Sequence, residues 1–237
     1  MIVASNFKTN HTRKETALYL DALKKYVTQS KTAQEVRVYP SFTALDCFEL
    51  PSNIKVGAQN FYPVPNGSYT GEIGSLQLDE FGVRSVLIGH SERRHVLGES
   101  QEEIAQKFAF ALKQGWEIVY CVGEPKEVRE EGLDAVIAYV EAQFEGINLN
   151  YEKLVVAYEP VWAIGTGLTA STNDIKETHG RLREKVSAPL LYGGSVKVAN
   201  AQEVMGVENC DGVLVGTASW NVEDFCEMIA AADLVSK

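Results

Sequence analysis

Leu154-Val155-Val156-Ala157-Tyr158-Glu159-Pro160 is a run of five apolar residues that ends abruptly on a carboxylate and a proline. A strand half exposed to water alternates apolar with polar residues. An unbroken apolar run reads instead as a buried parallel strand, covered on both faces. Seven further runs share this character: Ile2–Ala4, Val36–Tyr39, Lys55–Ala58, Ser85–Ile88, Glu117–Val122, Leu190–Tyr192 and Gly212–Val215. Between them lie amphipathic or Ala/Glu/Lys-rich stretches, Thr12–Thr28, Gln101–Gln114, Ala135–Glu145, Asn173–Lys185 and Val222–Leu234, which read as helices. The pattern is strand-helix repeated eight times, at roughly 30 residues per unit. It predicts an α/β fold: a single (β/α)8 barrel of eight parallel strands ringed by helices, with residues 1–237 forming one domain. The structural alternative is a doubly wound open sheet. That fold would carry a Gly-x-Gly-x-x-Gly turn after its first strand, where this chain has Ser5-Asn6-Phe7-Lys8-Thr9-Asn10.

Composition narrows the function. The chain has 237 residues, 45% hydrophobic and 23% charged, enough to bury a sizeable core. Its formal charge of −10 disfavours nucleic-acid or membrane-surface binding, both of which need a basic face. No apolar run approaches the ~18 residues of a membrane span. Met1 leads directly into strand-like residues rather than a signal peptide, so a cytoplasmic location is expected. Cys47, Cys121, Cys210 and Cys226 form no Cys-x-x-Cys pair, and four buried thiols are expected rather than a zinc site or disulfides. An anionic ligand would have to be held by local groups.

In a β/α barrel the C-terminal ends of the strands converge on one face, so polar residues just beyond the runs are read together. Here they are Asn6 and Lys8, Gln59-Asn60, His90, Glu124, Glu159, Gly194-Ser195 and Gly216-Thr217. Any one of them is adequately explained as a cap or a solvated loop residue. Jointly they place a base, an imidazole and a lysine beside Gly-rich turns, a set suited to moving a proton next to a carbonyl while a phosphate is held.

Four stretches then carry a resemblance that runs in order along the whole chain: Asn6-x-Lys8, Ile88-Gly89-His90-Ser91-Glu92-Arg93-Arg94, Ala157 through Gly167, and Tyr192-Gly193-Gly194-Ser195-Val196. The chain resembles the triosephosphate isomerase family, itself the standing example of a glutamate base paired with a neutral histidine beneath a closing loop. The resemblance implies a cofactor-free and metal-free isomerase that interconverts dihydroxyacetone phosphate and D-glyceraldehyde 3-phosphate through an enediolate, in glycolysis and gluconeogenesis. It implies Glu159 as base, His90 as the donor to the substrate oxygens, Lys8 as the fixed cation and Asn6 as its orienting partner. Gly165, Ser195, Gly216 and Thr217 would supply backbone donors to the phosphate, with Asn6 and Lys8 also touching substrate. Pro160 to Ala170 would form the lid, Ile164 and Leu214 would clamp over the base, Tyr192 and Ser195 would latch the closed lid, and Glu124 would pair with Trp162 in the open one. Glu92 matches a carboxylate near the lysine. Tyr69-Thr70-Gly71-Glu72 would insert into a second subunit, giving a homodimer. His11, His95 and His179 match no catalytic position and read as surface or packing residues.

Some positions depart from the family pattern. Leu168 stands where lysine commonly begins the lid's second hinge. Thr217 replaces a glycine, and a β-branched residue tolerates positive φ poorly. Phe7 replaces tryptophan, and Trp220 stands where leucine is frequent. Short segments after the second, third and seventh runs predict trimmed helices. Another phosphate-binding barrel isomerase or lyase, a catalytically silent barrel and a metal-dependent sugar isomerase remain as rival readings.

Overall fold

A computed structural model describes residues 1–164 and 169–235. The eight runs are strands β1 (Ile2–Asn6), β2 (Glu35–Tyr39), β3 (Ile54–Val56), β4 (Ser85–Ile88), β5 (Glu117–Val122), β6 (Leu154–Tyr158), β7 (Leu190–Tyr192) and β8 (Gly212–Val215). All pair in parallel, in the order β3-β2-β1-β8-β7-β6-β5-β4. β3 and β4 then meet through a single bridge, Ala58 with Val86, where Ala58 N–H donates to Ser85 C=O and Leu87 N–H to Ala58 C=O, both at 2.9 Å. The sheet is thus a nearly closed barrel.

Alternation along each strand divides the core in two. Ala4, Tyr39, Leu87, Val119, Ala157, Leu191 and Leu214 fill the barrel interior. Their neighbours Val3, Val38, Val86, Ile118, Val156 and Val213 face the surrounding helices. Both sets are buried, which is why the strands lack the polar-apolar alternation of a one-sided sheet. At the N-terminal end of the interior the buried Arg37 guanidinium lies 2.5 Å from Glu35 and 2.9 Å from Glu117, and Lys55 reaches Glu117 at 2.7 Å. A buried charge persists only when paired in this way.

The helices are α1 (Arg13–Ser30), α2 (Ser75–Glu80), α3 (Ser91–His95), α4 (Gln101–Lys113), α5 (Lys126–Glu130), α6 (Leu133–Ala142), α7 (Thr172–Arg183), α8 (Val198–Met205) and α9 (Val222–Val235). α1, α4 and α7 open on reciprocal caps, Thr12 with Glu15, Ser100 with Glu103 and Ser171 with Asp174, each satisfying backbone donors that the first helical turn leaves free. The trimming expected after three strands is present: only a short 3-10 turn (Phe42–Ala44) follows β2, the six-residue α2 follows β3 and the eight-residue α8 follows β7. No helix among the described residues is long and apolar enough to cross a membrane.

The expectation of four buried thiols is corrected. Cys121 and Cys210 are buried, but Cys226 is only half-buried and Cys47 is exposed. Cys47 lies in the irregular chain between β2 and β3, where its thiol reaches the Glu80 carbonyl at the surface.

Candidate active site

The C-terminal ends of the strands open into a cavity of about 690 Å³. Asn6, Lys8, His90, Glu159, Ser195, Gly216 and Thr217 all line it, so each of these expected site residues comes to one place. Gly165 lies outside the described residues, as do Thr166, Gly167 and Leu168 within the expected lid. Ile164 and Leu214 also face the cavity.

Glu159 directly follows β6 and is 2% exposed. Its Oε2 accepts the Ser91 N–H at 3.0 Å, and its Oε1 lies 3.2 Å from His90 Nε2. Burial of a carboxylate is tolerable here because the first turn of α3 supplies a backbone donor. This contact has no signature in the sequence, since Ser91 acts through its amide and not its side chain. Close packing behind the base is set by Gly193: a Cβ there would stand 2.8 Å from Glu159 Cγ. Beneath it, burial pushes the Cys121 thiol well above its usual range, and the neighbouring Glu159 pushes it the same way.

His90 ends the β4 segment and caps α3. Its Nδ1 accepts the Glu92 N–H at 3.2 Å. A ring nitrogen that accepts carries no proton, so this contact assigns the hydrogen to Nε2, which faces Glu159 and the cavity. The imidazole is therefore oriented as a donor.

Lys8 sits one residue beyond the last β1 position that continues the ladder, Phe7, whose N–H donates to Tyr39 C=O at 3.0 Å. Its φ is 53°, a left-handed value that strains a residue with a Cβ by about 1–3 kcal/mol. Asn6 accepts the Lys8 N–H at 2.9 Å and so helps to hold that conformation. The Lys8 ammonium lies 2.6 Å from Glu92 Oε1. The same side chain passes Gly216 so closely that a Cβ there would be 3.2 Å from Lys8 Cε.

Thr217 opens a 3-10 turn, Thr217–Ser219, and is not among the described non-glycine residues with positive φ. The replacement of glycine at this position therefore creates no backbone strain. Gly193 and Gly194 likewise serve close approach rather than left-handed geometry, for a Cβ on Gly194 would lie 2.2 Å from the Tyr192 hydroxyl.

Around the base of the expected lid, Trp162 Nε1–H donates to Glu124 Oε1 at 2.8 Å, and the Tyr158 hydroxyl donates to the same oxygen at 3.1 Å. Burial raises the Glu124 carboxyl, opposed by those two donors. Behind it, His179 packs on Tyr158 and Tyr192, fully buried. Burial pushes its pKa down to about 4, against the hydrogen bond from its Nδ1 to Asn209 C=O. The unfolded chain thus binds a proton at His179 between about pH 6.5 and 4 that the folded chain refuses. The stability this residue contributes is complete above that window and is lost as pH falls through it, by roughly 2–3 kcal/mol at pH 4.5. Denaturant titrations of the native protein and a His179→Gln variant at pH 7.5 and 4.5 check this. The expected result is a stability gap between them that narrows by that amount at the lower pH.

Fold and site together define a (β/α)8 barrel whose strand ends combine a buried carboxylate, an oriented imidazole donor and a lysine within one cavity, an arrangement able to carry a proton between neighbouring atoms of an anionic ligand. A family model for triosephosphate isomerase matches residues 1–232. The chain is 51% identical to the triosephosphate isomerase of Sulfurimonas denitrificans over 237 residues, covering all of this chain and 98% of the relative. It is 53% identical over 231 residues to that of a Sulfurovum species, covering 98% of this chain and all of the relative, and 49% identical over 229 residues to that of Wolinella succinogenes, covering 97% and 99%. The chain belongs to the triosephosphate isomerase family.

Proposed function

We propose that the chain is an aldose-ketose isomerase that interconverts dihydroxyacetone phosphate and D-glyceraldehyde 3-phosphate. The observation that carries the reading is the contact of Glu159 with His90 at 3.2 Å beside Lys8, within one cavity of a barrel matched to the family over residues 1–232. The Glu159 carboxylate removes a proton from the carbon next to the substrate carbonyl. The electron pair left behind forms the enediolate, whose negative oxygen receives the His90 Nε2–H hydrogen bond and the field of the Lys8 ammonium. His90 gives its Nε2 proton to that oxygen and takes the proton of the neighbouring hydroxyl, which becomes the new carbonyl, while Glu159 returns its proton to the neighbouring carbon, so atoms and charge balance without a co-reactant. For the substrate to lie between them, Glu159 must give up its present contact with His90. Exchange of the Ser91 N–H for the substrate proton is the corresponding change at Oε2.

Asn6 orients Lys8, and backbone donors at Gly165, Ser195, Gly216 and Thr217 hold the phosphate. Residues 160–170 act as the lid that keeps water from the enediolate, with the Trp162–Glu124 hydrogen bond belonging to its open position. The whole chain works as one barrel domain in the cytoplasm, in glycolysis and gluconeogenesis. A coupled assay with D-glyceraldehyde 3-phosphate, before and after exhaustive chelation, tests the activity. Turnover should be undiminished by chelation, and a folded protein without turnover would end the reading.

The chain also works as a homodimer. Tyr69 to Glu72 form a turn in which Tyr69 is 45% exposed, its ring tilted against Tyr62 with centroids 4.4 Å apart. Exposed Val96 and Leu97 offer further apolar surface. Sedimentation equilibrium is expected to give twice the mass of one chain, and Tyr69→Glu to shift the protein towards monomer. A native protein that is monomeric at micromolar concentration would contradict the assignment.

A further inference from the structure

We infer that Gln59 is a positioning residue that fixes the active-site lysine from the end of the neighbouring strand pair. The inference rests on the reading of Lys8 as the substrate-binding cation. Lys8 holds a left-handed backbone with φ 53°, and three residues later His11 does so again at φ 61°. Neither is glycine, and strained conformations of this kind persist only where surrounding contacts over-determine them.

The contacts at Lys8 come from both sides. Its N–H is taken by Asn6 Oδ1 at 2.9 Å. Its carbonyl is taken by Gln59 Nε2 at 2.8 Å. The same Gln59 nitrogen donates to Tyr39 C=O, also at 2.8 Å. Both partners are carbonyls, which only accept, so the amide end facing them is fixed as NH₂ and both its hydrogens are used. Tyr39 is the last residue of β2, and its carbonyl already receives the Phe7 N–H that ends the β1–β2 ladder. Gln59 therefore ties the first residue beyond that ladder to the rigid sheet, just where the chain turns to direct the Lys8 side chain between Gly216 and Glu92.

An amide that bridges two backbone carbonyls fixes the origin of the lysine side chain without touching the cavity itself, and Gln59 is not among the residues that line it. A displacement of about 1 Å at such a point is enough to cost a large factor in rate. His11 supports the same loop from the other side, stacked on Phe7 at 4.4 Å.

The test compares Gln59→Leu, which is one heavy atom shorter and removes both donors, with Lys8→Ala and the double variant. Inorganic phosphate affinity is measured by calorimetry alongside kcat/KM. Gln59→Leu is expected to weaken phosphate binding about tenfold and to lower kcat/KM roughly ten- to a hundredfold. In the Lys8→Ala background the same change should leave phosphate affinity within about twofold, because nothing remains for Gln59 to position. Should the leucine variant fail to fold, Gln59→Met is read in the same way. Native-like phosphate affinity and kcat/KM in the Gln59 variant, or equal losses in both backgrounds, would overturn the inference while leaving Lys8 in its role. Unimpaired phosphate binding and turnover in Lys8→Ala would overturn the reading of Lys8 and this inference with it.

Discussion

Glu159→Gln should lower kcat by about two to four orders of magnitude while the protein remains folded. The amide is nearly isosteric with the carboxylate, and its oxygen can still accept the Ser91 N–H that now binds Oε2 at 3.0 Å. What it cannot do is accept a proton from carbon. The buried side chain, 2% exposed, gains nothing from solvent that would compensate. KM should change far less than kcat, because the carboxylate contributes to the transition state and little to phosphate binding. Steady-state kinetics with far-ultraviolet circular dichroism check both parts. A variant within tenfold of the native kcat would remove Glu159 from the role of base.

The second large effect is expected at Lys8. Lys8→Met keeps much of the side-chain volume and removes the cation, and kcat/KM should fall by about two to three orders of magnitude or more. Loss of both phosphate attraction and charge stabilisation at the enediolate means that KM rises and kcat falls together. Stability should hardly move. The ion pair with Glu92 is 2.6 Å long, but the Glu92 side chain is 44% exposed, so water takes over its hydration when the lysine is gone. Methionine occupies the same strained backbone no better than lysine and no worse. A thermal unfolding midpoint that drops by many degrees would show instead that the lysine is chiefly structural.

The difference between these two residues follows from where the chain delivers them. Glu159 arrives on the rigid end of β6, between a helix N-terminus and an imidazole, and needs little local strain. Lys8 arrives on a turn held in a left-handed conformation by Asn6 and Gln59. The barrel strands provide the common frame, and the loops carry the chemistry.

The strands were largely legible in the sequence because each parallel strand is buried on both sides. β4 to β8 begin and end at the residues where their apolar runs begin and end. The exceptions have physical reasons. β1 continues through Ser5 and Asn6, polar residues that stay in the ladder against Val38 and Tyr39 because they already belong to the mouth of the barrel. β2 starts one residue early, at Glu35, whose charge is offset by Arg37 and Lys55. β3 starts one residue early, at Ile54, and stops at Val56, two residues short of its run; Gly57 beyond it lies so close to the Tyr39 ring and the Ser85 carbonyl that a Cβ would come within 2.4–2.6 Å. The longer helices announced themselves by periodicity, whereas α5 and α8 are too short to complete enough turns for a pattern.

The site was legible to a different degree. Side chains that act chemically stand at the ends of apolar runs and can be read there. Backbone partners cannot: the Ser91 amide under Glu159 has no side-chain signature. Gln59 was visible as a polar residue after the third run, but its meaning depends on carbonyls 51 and 20 residues away in the chain. The reason for Gly193 and Gly194 was also hidden, because it is contact with Glu159 and Tyr192 and not an unusual φ.

The central claim is that a proton leaves substrate carbon for Glu159 and returns to the neighbouring carbon. It is tested most directly by running the reaction in D₂O and following both triose phosphates by proton NMR. Proton transfer through an enediolate predicts deuterium appearing at the reacting carbon of product or recovered substrate, and its disappearance from both in Glu159→Gln. Full turnover by the native protein with no deuterium on carbon in either compound would contradict the account.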